Sequence, residues 1–79
     1  MNDVHDRIKK ILSENSNCRY CGYFVENDDT LYVYLFEKDS FTGDGIVIVK
    51  ENLETGEKDK TVGIGGLIEW GLGLGEFHK

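Results

Sequence analysis

The hydrophobic positions near the N-terminus repeat with the spacing of a helix. Within residues 3–14 the apolar side chains fall on one stripe, formed by Val4, Ile8, Ile11 and Leu12. Asn2 or Asp3 can cap the start of this helix, and the polar segment 15–17 ends it. Because so short a helix is not stable alone in water, the stripe must pack on another element.

Three later segments are rich in β-branched and aromatic residues and predict strands, at 19–26, 30–38 and 45–51. A weaker fourth strand is expected around 59–64. Short polar turns, NDD and LETGE, favour antiparallel hairpins between them. We therefore predict an α+β fold, with one N-terminal helix packed on a four- to five-stranded antiparallel sheet and residues 1–79 in a single domain.

The second predicted strand has two unlike faces. Its aliphatic side chains share one face: Leu31, Val33 and Leu35. Its aromatic side chains share the other face: Tyr32, Tyr34 and Phe36. We expect the aliphatic face to meet the helix. The aromatic face either belongs to a second core layer or forms an exposed patch of the kind that is enriched at interfaces.

The first predicted strand is also aromatic. Simple alternation places Tyr20 and Phe24 on one face, and Tyr23 and Val25 on the other. A hairpin between the first two strands would bring their rings together across the sheet.

The C-terminal segment is rich in glycine, but its spacing matches no phosphate-binding motif. A strand over 67–74 is expected instead, because glycine is unfavourable in a helix. Large side chains would occupy one face: Trp70, Leu72 and Leu74. Glycines would occupy the other: Gly71, Gly73 and Gly75. Trp70 is then expected to be substantially buried. The alternative is a tail that becomes ordered only on binding a partner.

The chain contains two cysteines, Cys18 and Cys21, in a C-x-x-C spacing. This is half of a zinc site, and His5 and His78 lie at opposite ends of the chain. A redox pair would be expected at the start of a helix rather than in a strand. We expect two reduced cysteines, and a zinc or redox protein that uses them remains an alternative.

Net charge is −6 and is unevenly distributed. Residues 1–25 carry +1 and the rest of the chain carries −7. Such a surface repels nucleic acid and anionic membranes and attracts a basic partner. The longest apolar run, 46–49, is too short to span a bilayer, and the N-terminus lacks the apolar region of a signal peptide, so a cytoplasmic location is expected.

No residues form a recognisable catalytic constellation. The serines lack a glycine elbow, and the acids lack the spacing of a calcium loop. We therefore expect no enzymatic activity, no metal and no cofactor.

The stretch GDGIVIVKENLETGEKDKTVG resembles the immunity protein 35 family. The similarity lies in the short N-terminal helix, the apolar run 46–49 and the sequence Thr55, Gly56, Glu57. The usual proline of the family is missing, and the preceding segment is shorter. The resemblance implies a protein that neutralises a bacterial toxin without catalytic residues.

These observations predict a small acidic, non-enzymatic binding protein that inhibits a larger protein, as an immunity protein or a phage anti-defence inhibitor does. Its partner would present a basic surface. A structural homodimer, formed through the aromatic face or the glycines, is a further alternative. The expected partner-binding residues are Asp28, Asp29, Tyr32, Tyr34, Phe36, Asp39, Asp44 and Trp70.

Overall fold

The computed structural model describes residues 4–39, 45–63, 65, 69 and 70. Within them the chain forms a helix, α1 (Val4–Glu14), followed by four strands: β1 (Cys18–Glu26), β2 (Thr30–Glu37), β3 (Ile46–Asn52) and β4 (Lys58–Val62). The strands pair antiparallel in the order β1-β2-β3-β4, so each strand lies beside the next one in the chain. The predicted α+β fold, with an N-terminal helix, is confirmed.

One face of the sheet packs against α1, as its apolar stripe predicts. Ile8 and Ile11 are buried on the helix side, and Val4 and Leu12 pack at the margin. The aliphatic face of β2 is buried beneath them. The buried members from the sheet are Cys18, Leu31, Val33, Leu35, Val47 and Val49. The possible caps Asn2 and Asp3 lie outside the described residues.

The opposite face of the sheet carries a second core layer. Tyr32, Tyr34 and Ile48 are buried there, with exposed fractions of 4%, 2% and 0%. Partly buried side chains pack around them: Cys21, Phe24, Ile46 and Trp70. Of the two alternatives for the aromatic face, the structure therefore has the second core layer at Tyr32 and Tyr34.

A β-bulge in β1 changes which side chains share a face. The register shifts between Tyr20 and Gly22, so that Tyr20 lies opposite Leu35 while Phe24 lies opposite Tyr32. Leu35 belongs to the helix-side core and Phe24 to the aromatic layer. The expectation that Tyr20 and Phe24 share a face is wrong, because the extra residue at the bulge inverts the alternation.

The strand expected over 67–74 is not present at the two residues of it that the structure describes. Glu69 has helical backbone and Trp70 lies in a turn. The prediction was based on the cost of glycine in a helix, but 67–70 contain no glycine. The remaining residues of 67–74, and with them Gly71 and Gly73, lie outside the described residues, as does Gly75.

Candidate binding surface

Two hairpin turns meet at one end of the sheet. The backbone N–H of Leu53, in the β3–β4 turn, donates a hydrogen bond to the carbonyl of Asp29, in the β1–β2 turn, at 2.8 Å. In a sheet whose strands follow chain order, alternate turns lie at the same end. The hydrogen bond joins these two turns directly into one surface.

Each of these turns has a local cause in its sequence. Asn27 and Asp28 adopt positive φ values of 54° and 61°, a conformation that asparagine and aspartate tolerate better than most residues. In the second turn, the Asn52 side-chain oxygen accepts hydrogen bonds from the N–H groups of Glu54 and Thr55, at 2.9 and 3.1 Å. Gly56 closes that turn with φ of 78°.

Carboxylates surround the joined turns. We call this set the acidic rim; its members are Glu26, Asp28, Asp29, Glu54, Glu57 and Asp59. All except the half-buried Asp29 are exposed. The rim therefore concentrates negative charge at one end of the sheet.

A groove opens beside the rim, on the aromatic side of the sheet. Its volume is about 180 Å³, and its lining consists of Thr30, Lys50, Asn52, Glu57 and Asp59. Lys50 lies opposite Asp59 in the strand register, yet its ammonium group is placed over the ring of Trp70, 5.6 Å from the centroid. In the part of the chain that the structure describes, neither Glu57 nor Asp59 makes an ion pair within 4.0 Å. Both carboxylates can therefore accept hydrogen bonds from a basic group.

Aromatic side chains connect the groove to the second core layer. Phe24 stacks on Tyr32 with centroids 6.1 Å apart, and Tyr32 contacts Trp70 at 6.2 Å. The Tyr32 hydroxyl donates to Glu26 Oε1 at 3.5 Å. Burial, and next the neighbouring Glu26 carboxylate, raise the pKa of Tyr32 above its ordinary value.

The structure gathers only some of the sequence-predicted residues at this end. Asp28 and Asp29 lie in the rim, and the half-buried Trp70 packs on Tyr32 beside the groove. Tyr32 and Tyr34 are buried and present little surface of their own to a partner.

Two other predicted residues lie away from the rim. Phe36 is half-buried near the far end of β2, opposite Arg19 and Ile46. Asp39 is exposed just beyond that end. Asp44 lies outside the described residues.

Sequence reasoning missed four members of the rim: Glu26, Glu54, Glu57 and Asp59. The signal was present, because both turns are short hairpin connections and must lie at the same end of a sheet whose strands follow chain order. The sequence analysis summed the acids along the chain and did not assign them to turns, so their concentration at one end of the sheet was missed.

The two cysteines lie on different sides of the sheet. Cys18 is buried in the helix-side core, whereas Cys21 packs at the aromatic layer. The bulge separates them, which disfavours a shared metal ion or a disulfide. Both are free cysteines, and among the residues described no group of three or more metal-ligating side chains is found. Burial raises the pKa of the Cys18 thiol, with Lys60 acting in the opposite direction.

Comparisons with models of known protein families, with curated proteins and with solved structures found no match. The resemblance to the immunity protein 35 family therefore stays a prediction from the sequence. Within the described part of the chain, no helix has the length and apolar character required to cross a membrane.

Proposed function

We propose that this protein is a small, non-enzymatic binding protein that inhibits a larger protein by covering a basic surface on it. The observation that carries the proposal is the 2.8 Å hydrogen bond between the two hairpin turns, because it gathers the acidic rim at one end of the sheet. Immunity proteins and phage anti-defence inhibitors act in this general way. Their targets are the class of partner that we propose.

Charge supports the first step of binding. The chain carries −6 overall, and the rim places six of its fifteen acids around two adjoining turns. Such a concentration accelerates the approach of a basic partner and fixes its orientation. Glu57 and Asp59, which lack ion-pair partners among the described residues, can then receive lysine or arginine side chains.

Aromatic contacts support the second step. Phe24 and Trp70 are only partly buried and lie beside the rim. Partly covered aromatic groups next to charged ones are typical of the residues that contribute most to binding. A standard interface takes about 800 Å² from each partner, roughly a sixth of this protein's 5084 Å² of accessible surface.

The two proposed contact regions favour a protein partner over nucleic acid or membrane, whose phosphates the rim would repel. We also propose a cytoplasmic location, where the two free cysteines would stay reduced.

The experiment is affinity capture with three baits from the source cell and from its phages or competitors. One bait is the wild-type protein, and one carries Asp28→Asn, Glu54→Gln and Glu57→Gln. Asparagine suits the positive φ of residue 28. The control carries Asp6→Asn, Glu37→Gln and Asp39→Asn, which remove the same charge away from the rim.

A partner with a basic surface should be recovered by the wild-type protein and by the control, and lost with the rim variant. Equal loss with both variants would show that net charge alone attracts the partner. Equal recovery with all three would exclude the rim from binding.

A further inference from the structure

A carboxylate lies completely buried beneath the helix, and the proposed binding function does not use it. Glu51 of β3 is 0% exposed and lies opposite Leu31, a member of the helix-side core. Neither of its side-chain oxygens accepts a hydrogen bond within the described residues. Such a group costs free energy, because it has lost water without a full replacement.

Two cations approach this carboxylate. Arg7 Nη1 lies 3.0 Å from Oε2, and Lys58 Nζ lies 3.7 Å from Oε1. Neither cation has the geometry of a hydrogen bond to the carboxylate, so both contacts are ion pairs only. Lys58 Nζ also lies 3.1 Å from Glu14 Oε1. Because Arg7 and Glu14 both belong to α1, these four side chains attach two points of the helix to β3 and β4.

The apolar attachment of α1 is limited. Ile8 and Ile11 are its two fully buried side chains, Val4 and Leu12 pack at the margin, and the His5 ring meets the Tyr23 ring of β1 edge-on at 6.0 Å. A helix of 11 residues is too short to be stable alone. Two further hydrogen bonds hold the chain just after the helix, from Lys60 to the Asn15 side chain at 3.2 Å and from Lys38 to the Ser16 carbonyl at 3.1 Å. Both are exposed to water. The apolar contacts of α1 therefore hold it on the sheet together with ion pairs to a carboxylate whose own burial costs free energy.

We propose that α1 is a lid over the aliphatic face of the sheet, and that Glu51 controls its opening. When the helix leaves, the carboxylate regains water, which lowers the cost of opening below that of a fully apolar contact. In this opening α1 leaves as one unit, while the four strands stay paired and the sheet remains folded. Opening exposes Leu31, Val33 and the Cys18 thiol.

Cys18 reports this opening. In a Cys21→Ala protein, the rate at which a thiol reagent modifies Cys18 gives the free energy of the opening that exposes it. We expect the free energy of this opening to be clearly smaller than the free energy of global unfolding measured by circular dichroism. Its dependence on urea concentration should also be smaller than that of global unfolding. Modification that requires global unfolding would overturn the proposal.

Substitutions identify the controlling group. Arg7→Met leaves a buried carboxylate without its closest cation, and should accelerate Cys18 modification at least about tenfold. Arg7→Met with Glu51→Met should return the rate to the wild-type value or below, because the pair is then apolar. Lys10→Met, on the exposed side of the same helix, is the matched control.

Two results would exclude control by Glu51: an Arg7→Met rate equal to that of Lys10→Met, or a double variant as fast as the single one. If Arg7→Met does not fold, hydrogen exchange of the wild-type protein decides the matter. The amides of α1 should then exchange through a smaller opening than those of β2 and β3, and a common opening would overturn the lid.

Discussion

At the scale of single residues, the two cysteines show how one inserted position changes the chemistry of a motif. Cys18 lies in the helix-side core and Cys21 at the aromatic layer, although only two residues separate them. The sequence predicted that both would be reduced, and both are free cysteines. The bulge had a signal in the sequence, because an isolated glycine inside a strand, here Gly22, is typical of a bulge, but simple alternation does not take it into account.

The environment of Cys18 predicts a fall in stability at alkaline pH. Burial raises the pKa of Cys18 above its ordinary value of 9.0, so the folded state keeps this proton after the unfolded state has lost it. Its contribution to stability is complete below pH 9.0 and decreases as pH rises above that value. Tyr20 and Tyr32, whose pKa values are also raised by burial, extend the fall above pH 10.0.

Urea denaturation at a series of pH values measures this alkaline fall in the free energy of unfolding. The wild-type unfolding free energy should begin to fall near pH 9, whereas that of Cys18→Ala should stay level until the tyrosines begin to ionise. Cys21→Ala controls for the loss of a thiol. If the unfolding free energies of the wild-type and Cys18→Ala proteins fall in parallel as pH rises, the fall near pH 9 is not due to Cys18.

Glu51 was not among the residues predicted from the sequence, although its position carries a signal of burial. Alternation along β3 places Glu51 on the same face as Val47 and Val49. Its ion-pair partners could not be predicted, because Arg7 and Lys58 reach it only through tertiary packing.

At the scale of elements, hydrophobic spacing was sufficient for most of the fold. The helix stripe, the four strands and the aliphatic face of β2 all follow from period and turn composition. The C-terminal segment did not, because the glycines that favoured a strand all follow Trp70, whereas 67–70 contain none and Glu69 has helical backbone.

Trp70 tests how much that segment contributes to stability. Its ring is half-buried against Tyr32, with the Lys50 ammonium above it. Trp70→Ala should therefore destabilise the protein by about 1–2 kcal/mol, roughly half the value for a fully buried large side chain. Trp70→Phe, which keeps a ring in place, should lose less.

Urea denaturation of both variants, followed by circular dichroism, provides the comparison. No loss of stability in Trp70→Ala would mean that the contact with Tyr32 contributes nothing to folding, and that the residue is available for a partner alone.

At the scale of the whole molecule, charge and topology act together. The chain from residue 26 onward carries −7, and the order of the strands brings two of its acidic turns to one end. The sequence predicted the sign of the charge and two members of the rim, Asp28 and Asp29. To predict that the two turns are adjacent, the complete strand order had to be known.

The same layout separates the rim from Asp39, which lies at the opposite end of β2. A partner that recognises the rim should therefore leave Asp39 and its neighbours exposed. This difference between the two ends can be measured once a partner has been captured.

Hydrogen exchange of the isolated complex is the most direct measurement. Compared with the free protein, the complex should show slower exchange in both joined turns, 26–30 and 52–59, and unchanged exchange at 37–39. Slower exchange at 37–39 with no change in the two turns would show that the partner binds elsewhere and that the acidic rim is not its binding surface.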